Sequence, residues 1–167
     1  AVKTPPLTPE PPPEPEPPEP EPAEPAAEEW HSLLPFTTHR IRLAGDRYTA
    51  ADGVDPEVDA RTEIVVEASG GSLAGLSVVD LGCLEGGFAL EFARRGAVPV
   101  VGIEYRDVSV RRCELARDLM GVEASFIQGD ITTAIPDGAR YDIVFAAGIL
   151  YHLEQPAEML EVFRKAC

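Results

Sequence analysis

Three acids stand at the ends of apolar runs, and their spacing suggests a ligand. The first run, residues 76–81, leads into Asp80-Leu81-Gly82-Cys83-Leu84-Glu85-Gly86-Gly87. Gly82 and Gly86 let a chain bend sharply and let a ligand lie against backbone without meeting a Cβ. The second run ends at Glu104, 22 residues after Gly82. A carboxylate at that remove can accept two hydrogen bonds from a ribose diol, as in folds that bind dinucleotides. The third ends in Gly129-Asp130-Ile131. There a carboxylate can accept from an exocyclic amine, with Ile131 packed on the ring. A nucleoside therefore fits the three strand ends together.

A fourth run, residues 141–146, is followed by Gly148-Ile149-Leu150-Tyr151-His152-Leu153. Histidine changes charge near neutral pH, so His152 can take a proton from an oxygen or nitrogen nucleophile. Tyr151 can shape a pocket beside it. Both can equally pack against or cap the following helix. Cys83 reads as a small residue filling the turn rather than a nucleophile.

These residues need a scaffold, and the pattern around them supplies one. Residues 88–95, 108–120 and a last segment opened by Pro156 read as helices between the apolar runs. Gly121 should stop the second, and Met159, Leu160 and Phe163 should form one stripe of the last. Near-continuous apolar strands alternating with helices predict a parallel sheet covered on both faces. Right-handed crossovers make it doubly wound. Ligands then bind outside the carboxyl ends of the strands, where the acids stand.

Ahead of this lies a helix whose expected cap is Asp55, with Pro56 in its first position, Val58, Ile64, Val65 and Ala68 near helical spacing, and Gly70-Gly71 as its stop. Residues 30–54 read as an extension with short strands. His39-Arg40-Ile41-Arg42-Leu43 alternates, Gly45-Asp46 turns, and Trp30 and Phe36 are candidate anchors. Residues 1–29 carry eight Glu, one Lys and twelve of the 17 Pro. Such a segment blocks helix and sheet and is expected to be extended, as a spacer or a ligand for a proline-recognition domain. The expected division is thus a disordered tail at 1–29, an extension at 30–54 and a ligand-binding domain at 55–167.

Net charge is −15, and −8 remains beyond the tail. That balance does not support a nucleic-acid partner, because phosphate binding needs clustered Lys and Arg. Arg94-Arg95 and Arg111-Arg112 read as solvated helix faces. Three cysteines without a CxxC pair predict neither a disulfide framework nor a metal site and suit a reducing cytoplasm. No apolar stretch is long enough for a membrane span.

With these motifs in view, the chain resembles a class I S-adenosylmethionine-dependent methyltransferase over residues 76–163. VVDLGCLEGG resembles the family's glycine motif, VGIE its second motif, QGDI its third and YDIVFAAGILYHL its fourth. The resemblance implies S-adenosyl-L-methionine as cofactor. Gly82, Cys83, Leu84 and Gly86 would lie along its methionine moiety, with Asp80 near the ammonium group. Glu104 would hold the ribose hydroxyls, and Asp130 with Ile131 the adenine. Ala146 and Ala147 would lie beside the methionine side, and Tyr151 and His152 would face the acceptor. It further implies a seven-stranded sheet, of which four strands would lie here in the order 3-2-1-4, so the fold is expected to stop short after the fourth core strand and helix. Leu84 departs from the pattern, standing where the family most often has glycine. That departure counts against a nicotinamide dinucleotide, whose pyrophosphate needs close backbone approach there. The expected reaction is methyl transfer to an oxygen, nitrogen or carbon nucleophile, most simply of a small molecule. The alternatives are a dinucleotide-binding domain or a non-catalytic interaction module.

Overall fold

The computed structural model describes residues 32–167. The proline-rich segment and Trp30 lie outside the described residues. Along the described chain come α1 (Ala60–Ala68), β1 (Val78–Leu81), α2 (Gly87–Arg94), β2 (Val100–Glu104), α3 (Asp107–Met120), β3 (Ser125–Gln128), β4 (Ile143–Phe145) and α4 (Glu158–Ala166). The four strands are parallel in the order β3-β2-β1-β4, as expected.

Central β1 is buried along its whole length. Its alternate side chains enter two apolar layers. Val78 joins Phe88, Phe92, Val100 and Phe145 on one face, and Val79 and Leu81 join Ile103, Ile131, Met159 and Val162 on the other. Helices on both faces explain why β1 and β2 read as unbroken apolar runs. Gly121 closes α3 at φ 64°, returning its N–H to the Arg117 carbonyl at 2.9 Å.

Several local expectations are corrected. The cap of α1 is Asp59, whose carboxylate accepts from the Arg61 N–H at 2.9 Å, while Asp55 and Pro56 form a preceding turn. Val58 and Ile64 are 76% and 62% exposed, while Val65 is partly buried against the layer of Val78 and Phe92, so only part of the apolar spacing there faces inward. In α4 the buried set is Met159, Val162 and Ala166, with Leu160 exposed. The 39–43 alternation is real in burial: His39, Ile41 and Leu43 are inward. Its pairing amounts only to single bridges, His39 to Val54 and Arg42 to Tyr48, closed by a 3-10 turn at Ala44–Asp46. Phe36, Ile41 and Leu43 pack against Leu90 and Ala116, attaching the extension to α2 and α3.

The arginine pairs are not simply solvated either. Arg94 and Arg95 both bind the buried Glu91 carboxylate, at 2.8 and 2.6 Å. Arg112 is only 16% exposed and meets Glu85 at 2.7 Å.

Candidate functional site

A cleft of about 680 Å³ opens at the carboxyl ends of all four strands. Its floor comes from the turn after β1, where Gly82, at φ 73°, allows the chain to reverse. A Cβ on Gly82 would be strained at that φ and would come within 2.9 Å of Ile149 Cδ1, so glycine is favoured where the turn meets the post-β4 segment.

Asp80, Glu104 and Asp130 all reach this cleft, in three different states. Asp80 is 3% exposed, and its Oδ2 has no hydrogen-bond partner. Burial pushes its carboxyl up to about 7, opposed by the Ala89 N–H and assisted by the negative Glu104. A buried, unpaired carboxyl oxygen is costly and calls for a donor. Glu104, 5% exposed, is prearranged: Oε2 accepts the Leu84 N–H at 3.1 Å, and Oε1 accepts from the Arg106 N–H and Nε at 3.0 and 2.9 Å. Asp130 is exposed and fixed by its own turn. The Thr132 hydroxyl and N–H donate to it at 2.6 and 2.8 Å and hold its carboxyl below the ordinary range.

Cys83, Leu84, Ile131, Ala147, Tyr151 and His152 also line the cleft. Leu84 takes the turn at φ 54°, the left-handed region that its type disfavours. Cys83 is 2% exposed, and its thiol is pushed well above its ordinary range by a hydrogen bond with the free Cys113 thiol and then by burial, which leaves no thiolate to attack. Tyr151 and His152 sit on an exposed 3-10 turn at the rim, ring centroids 4.2 Å apart.

Two expected contacts fall elsewhere. Gly86 is turned away from the cleft, because a Cβ there would meet Cys113 Sγ at 2.9 Å and Phe126 at 3.2 Å. It is the place where α3 and β3 pack under the turn. Ala146 packs with the apolar layer of Val79 and Met159.

The wall opposite the strand ends has no counterpart in the strand-end motifs. Thr38, His39, Val54 and Arg61 line it, with Phe88 between. Glu85 fixes this wall. Its buried carboxylate accepts from the N–H groups of Thr37, Thr38 and His39 at 2.7, 2.9 and 2.9 Å, the Thr37 hydroxyl, and Arg112 Nη1 at 2.7 Å. Burial would raise this carboxyl, but the three backbone donors outweigh it, and the net shift is downward. Thr37, Thr38 and His39 lie 46 to 48 residues upstream and Arg112 lies 27 downstream, beyond any local pattern. Tyr105 and Arg106, also in the lining, directly follow Glu104 and were within reach of a motif reading.

A family model described as a methyltransferase domain matches residues 72–167. The chain belongs to this methyltransferase family. The match starts beyond the extension and α1, so it covers the strand ends but not Thr38, His39 or Arg61. The N-terminal domain of EvdMO1, solved with S-adenosylhomocysteine and D-fucose, superposes with a TM-score of 0.67 at 27% identity, over 83% of this chain and 58% of that one. Magnesium protoporphyrin IX methyltransferase from Synechocystis PCC 6803, with bound S-adenosylhomocysteine, shares the fold at a TM-score of 0.55 and 24% identity, over 64% and 49% of the two chains. Among curated proteins, a ubiquinone biosynthesis O-methyltransferase of Methylobacterium sp. (strain 4-46) is 28% identical over 137 residues, 82% of this chain and 48% of that one. A tRNA U34 carboxymethyltransferase of Aeromonas salmonicida (strain A449) is 33% identical over 94 residues, 55% and 29% of the two chains. The chain thus spans about half or less of the length of these curated methyltransferases. Among the described residues no helix is long and apolar enough to cross a membrane.

Proposed function

We propose that this chain carries the cofactor site of an S-adenosylmethionine-dependent methyltransferase acting on an oxygen, nitrogen or carbon nucleophile of a small molecule. The observation that carries the reading is the unpaired Asp80 Oδ2, buried in the same cleft as Glu104 and Asp130. A buried acceptor without a donor suits a ligand ammonium. Glu104 suits a ribose diol and Asp130 an exocyclic amine, so the donor set and the cleft fit this cofactor at both ends.

Bound there, S-adenosylmethionine supplies a methyl group on a sulfonium sulfur. The chain's own part is to orient and to exclude water. Ile149 and Gly82 close the turn side, and Leu84 covers the floor. Alignment of donor and acceptor alone can lower a barrier by roughly 7–11 kcal/mol. At the rim, His152 takes the proton released by an oxygen or nitrogen acceptor, and Tyr151 borders the acceptor. Leu84 holds a side chain where a pyrophosphate would need bare backbone, which disfavours a dinucleotide. The net −8 beyond the tail favours a small acceptor over a nucleic acid, and the three free thiols suit the cytoplasm.

Calorimetric titration tests the cofactor. S-adenosylhomocysteine should bind and NAD should not. Glu104→Ala should weaken binding by about 1–3 kcal/mol, the usual cost of unpairing buried polar groups. Unchanged affinity in that variant removes the ribose assignment. For the base, His152→Ala should lower turnover about 10²–10⁴-fold with cofactor affinity intact. A loss below about tenfold assigns His152 to packing.

A further inference from the structure

The cofactor's amino-acid end carries two opposite charges, and the strand-end motifs provide for only one of them. Asp80 answers the ammonium. The carboxylate has no counterpart among those residues, so the cleft must be searched for donors.

The first turn of α2 gathers them. Three consecutive residues there meet three polar side chains from different parts of the chain. Gly87 donates its N–H to His39 Nδ1 at 3.2 Å. The Phe88 ring carries the Arg61 guanidinium at 4.6 Å and the His39 ring edge-on at 5.6 Å. The Ala89 N–H donates to Asp80. All three polar side chains line the same cleft.

His39 is the informative member. Gly86 precedes α2 and has no side chain to cap it, so His39 provides the cap from 48 residues upstream. With Nδ1 accepting, the proton of the neutral ring sits on Nε2. Burial lowers the pKa of His39 to about 4, so the ring is neutral at physiological pH. Its remaining polar atom is therefore a fixed N–H donor. Arg61 adds a cation: Asp59 takes its Nε and Nη2 at 2.8 and 2.9 Å, leaving Nη1. The positive end of the α2 dipole lies at the same corner and favours an anion.

Resting on the cofactor reading above, we propose that His39 and Arg61 bind the carboxylate of the cofactor's amino-acid end, so that this corner reads a zwitterion with Asp80 as its other pole. Residues 38–61 are then part of the binding site, although they lie outside the matched domain.

The test pairs variants with a trimmed ligand. S-adenosylhomocysteine and its analogue lacking only the carboxylate are titrated calorimetrically into the wild-type protein, His39→Asn and Arg61→Gln. Asparagine can still accept from the Gly87 N–H but cannot reach as far as Nε2, so the cap survives while the donor is lost. The wild type should bind the trimmed ligand about 5- to 100-fold more weakly than the intact one. Each variant should lose about 5- to 100-fold for S-adenosylhomocysteine and less than about twofold for the analogue. Equal losses for both ligands, or none for the intact one, overturn the assignment. Circular dichroism melts separate that result from unfolding, and Arg61→Gln, at a partly exposed site, keeps the test open if the histidine variant is unstable. If wild-type protein binds neither ligand, the cofactor reading itself fails.

Discussion

Asp80 and Glu85 lie five residues apart at opposite ends of one turn. Both are buried carboxylates, at 3% and 2% exposure. Glu85 is saturated, with three backbone N–H groups, a hydroxyl and a guanidinium on its two oxygens. Asp80 keeps one oxygen without a donor. Their carboxyls move in opposite directions, Glu85 down and Asp80 up to about 7. Burial penalises both, so the number of donors decides the sign. Glu85 is committed to the fold, where it holds the extension against the turn. Asp80 is left for a ligand.

Removing Glu85 should break this contrast most severely. Glu85→Ala strands the Thr37, Thr38 and His39 N–H groups and buries Arg112 without its partner. Loss of one member of a buried, hydrogen-bonded ion pair costs about 3–5 kcal/mol. Chemical denaturation should show that loss, with no change in the strand-end residues themselves. A cost under about 1 kcal/mol would mean that the apolar contacts of Phe36, Ile41 and Leu43 hold the extension alone. The pH dependence has the matching sign. The Glu85 contribution is present above the ordinary carboxylate range near 4.5 and is lost as pH falls through its lowered value.

Asp80 should behave in the opposite sense, with a smaller effect. A carboxyl raised from 3.8 to about 7 favours folding below 3.8, and that contribution is lost as pH rises to about 7. A bound ammonium favours the charged form, so cofactor affinity should rise with pH up to about 7, with proton release below it. Titrations in buffers of different ionisation enthalpy measure that release. Asp80→Asn should flatten the profile and weaken binding by about 1.5–3 kcal/mol. A pH profile identical in wild type and Asp80→Asn would remove Asp80 from the ammonium.

The same contrast explains what was legible in the sequence. Strand order and the three strand-end acids follow from local rules: an apolar run, a turn, then a helix, repeated with right-handed crossovers. Asp80, Glu104 and Asp130 stand out because the ends of runs are visible in one dimension. Glu85 sits inside the same turn without standing out, because its backbone partners are 46 to 48 residues upstream and Arg112 is 27 downstream. His39 looked like one residue of an alternating strand, and only the fold brings it to the bare start of α2. Asp59 displaced Asp55 as a cap because the local pattern offered two acids four residues apart and only the helix geometry chooses between them. The Gly86 position is compatible with a ligand in sequence, but a glycine signals close approach without saying which neighbour approaches, and here it is Cys113.

Leu84 sharpens the comparison at the smallest scale, since it lies between the two acids and bends where glycine would bend freely. Its φ of 54° costs about 1–2 kcal/mol for a residue with a Cβ. The turn keeps it there because its N–H serves Glu104 at 3.1 Å and its carbonyl accepts Cys113 Sγ at 3.2 Å. Leu84→Gly relieves the strain but adds about 0.5–1 kcal/mol of chain entropy to be lost on folding and removes a half-buried side chain. Leu84→Ala removes nearly as much side chain and keeps the strain. Leu84→Gly should therefore be more stable than Leu84→Ala by about 0.5–1 kcal/mol, read from urea midpoints at unchanged slope. The reverse order would mean that the left-handed turn is not strained. In that case Leu84 would be held by its side-chain contacts in the cleft rather than by the two backbone bonds that tie the turn to Glu104 and Cys113.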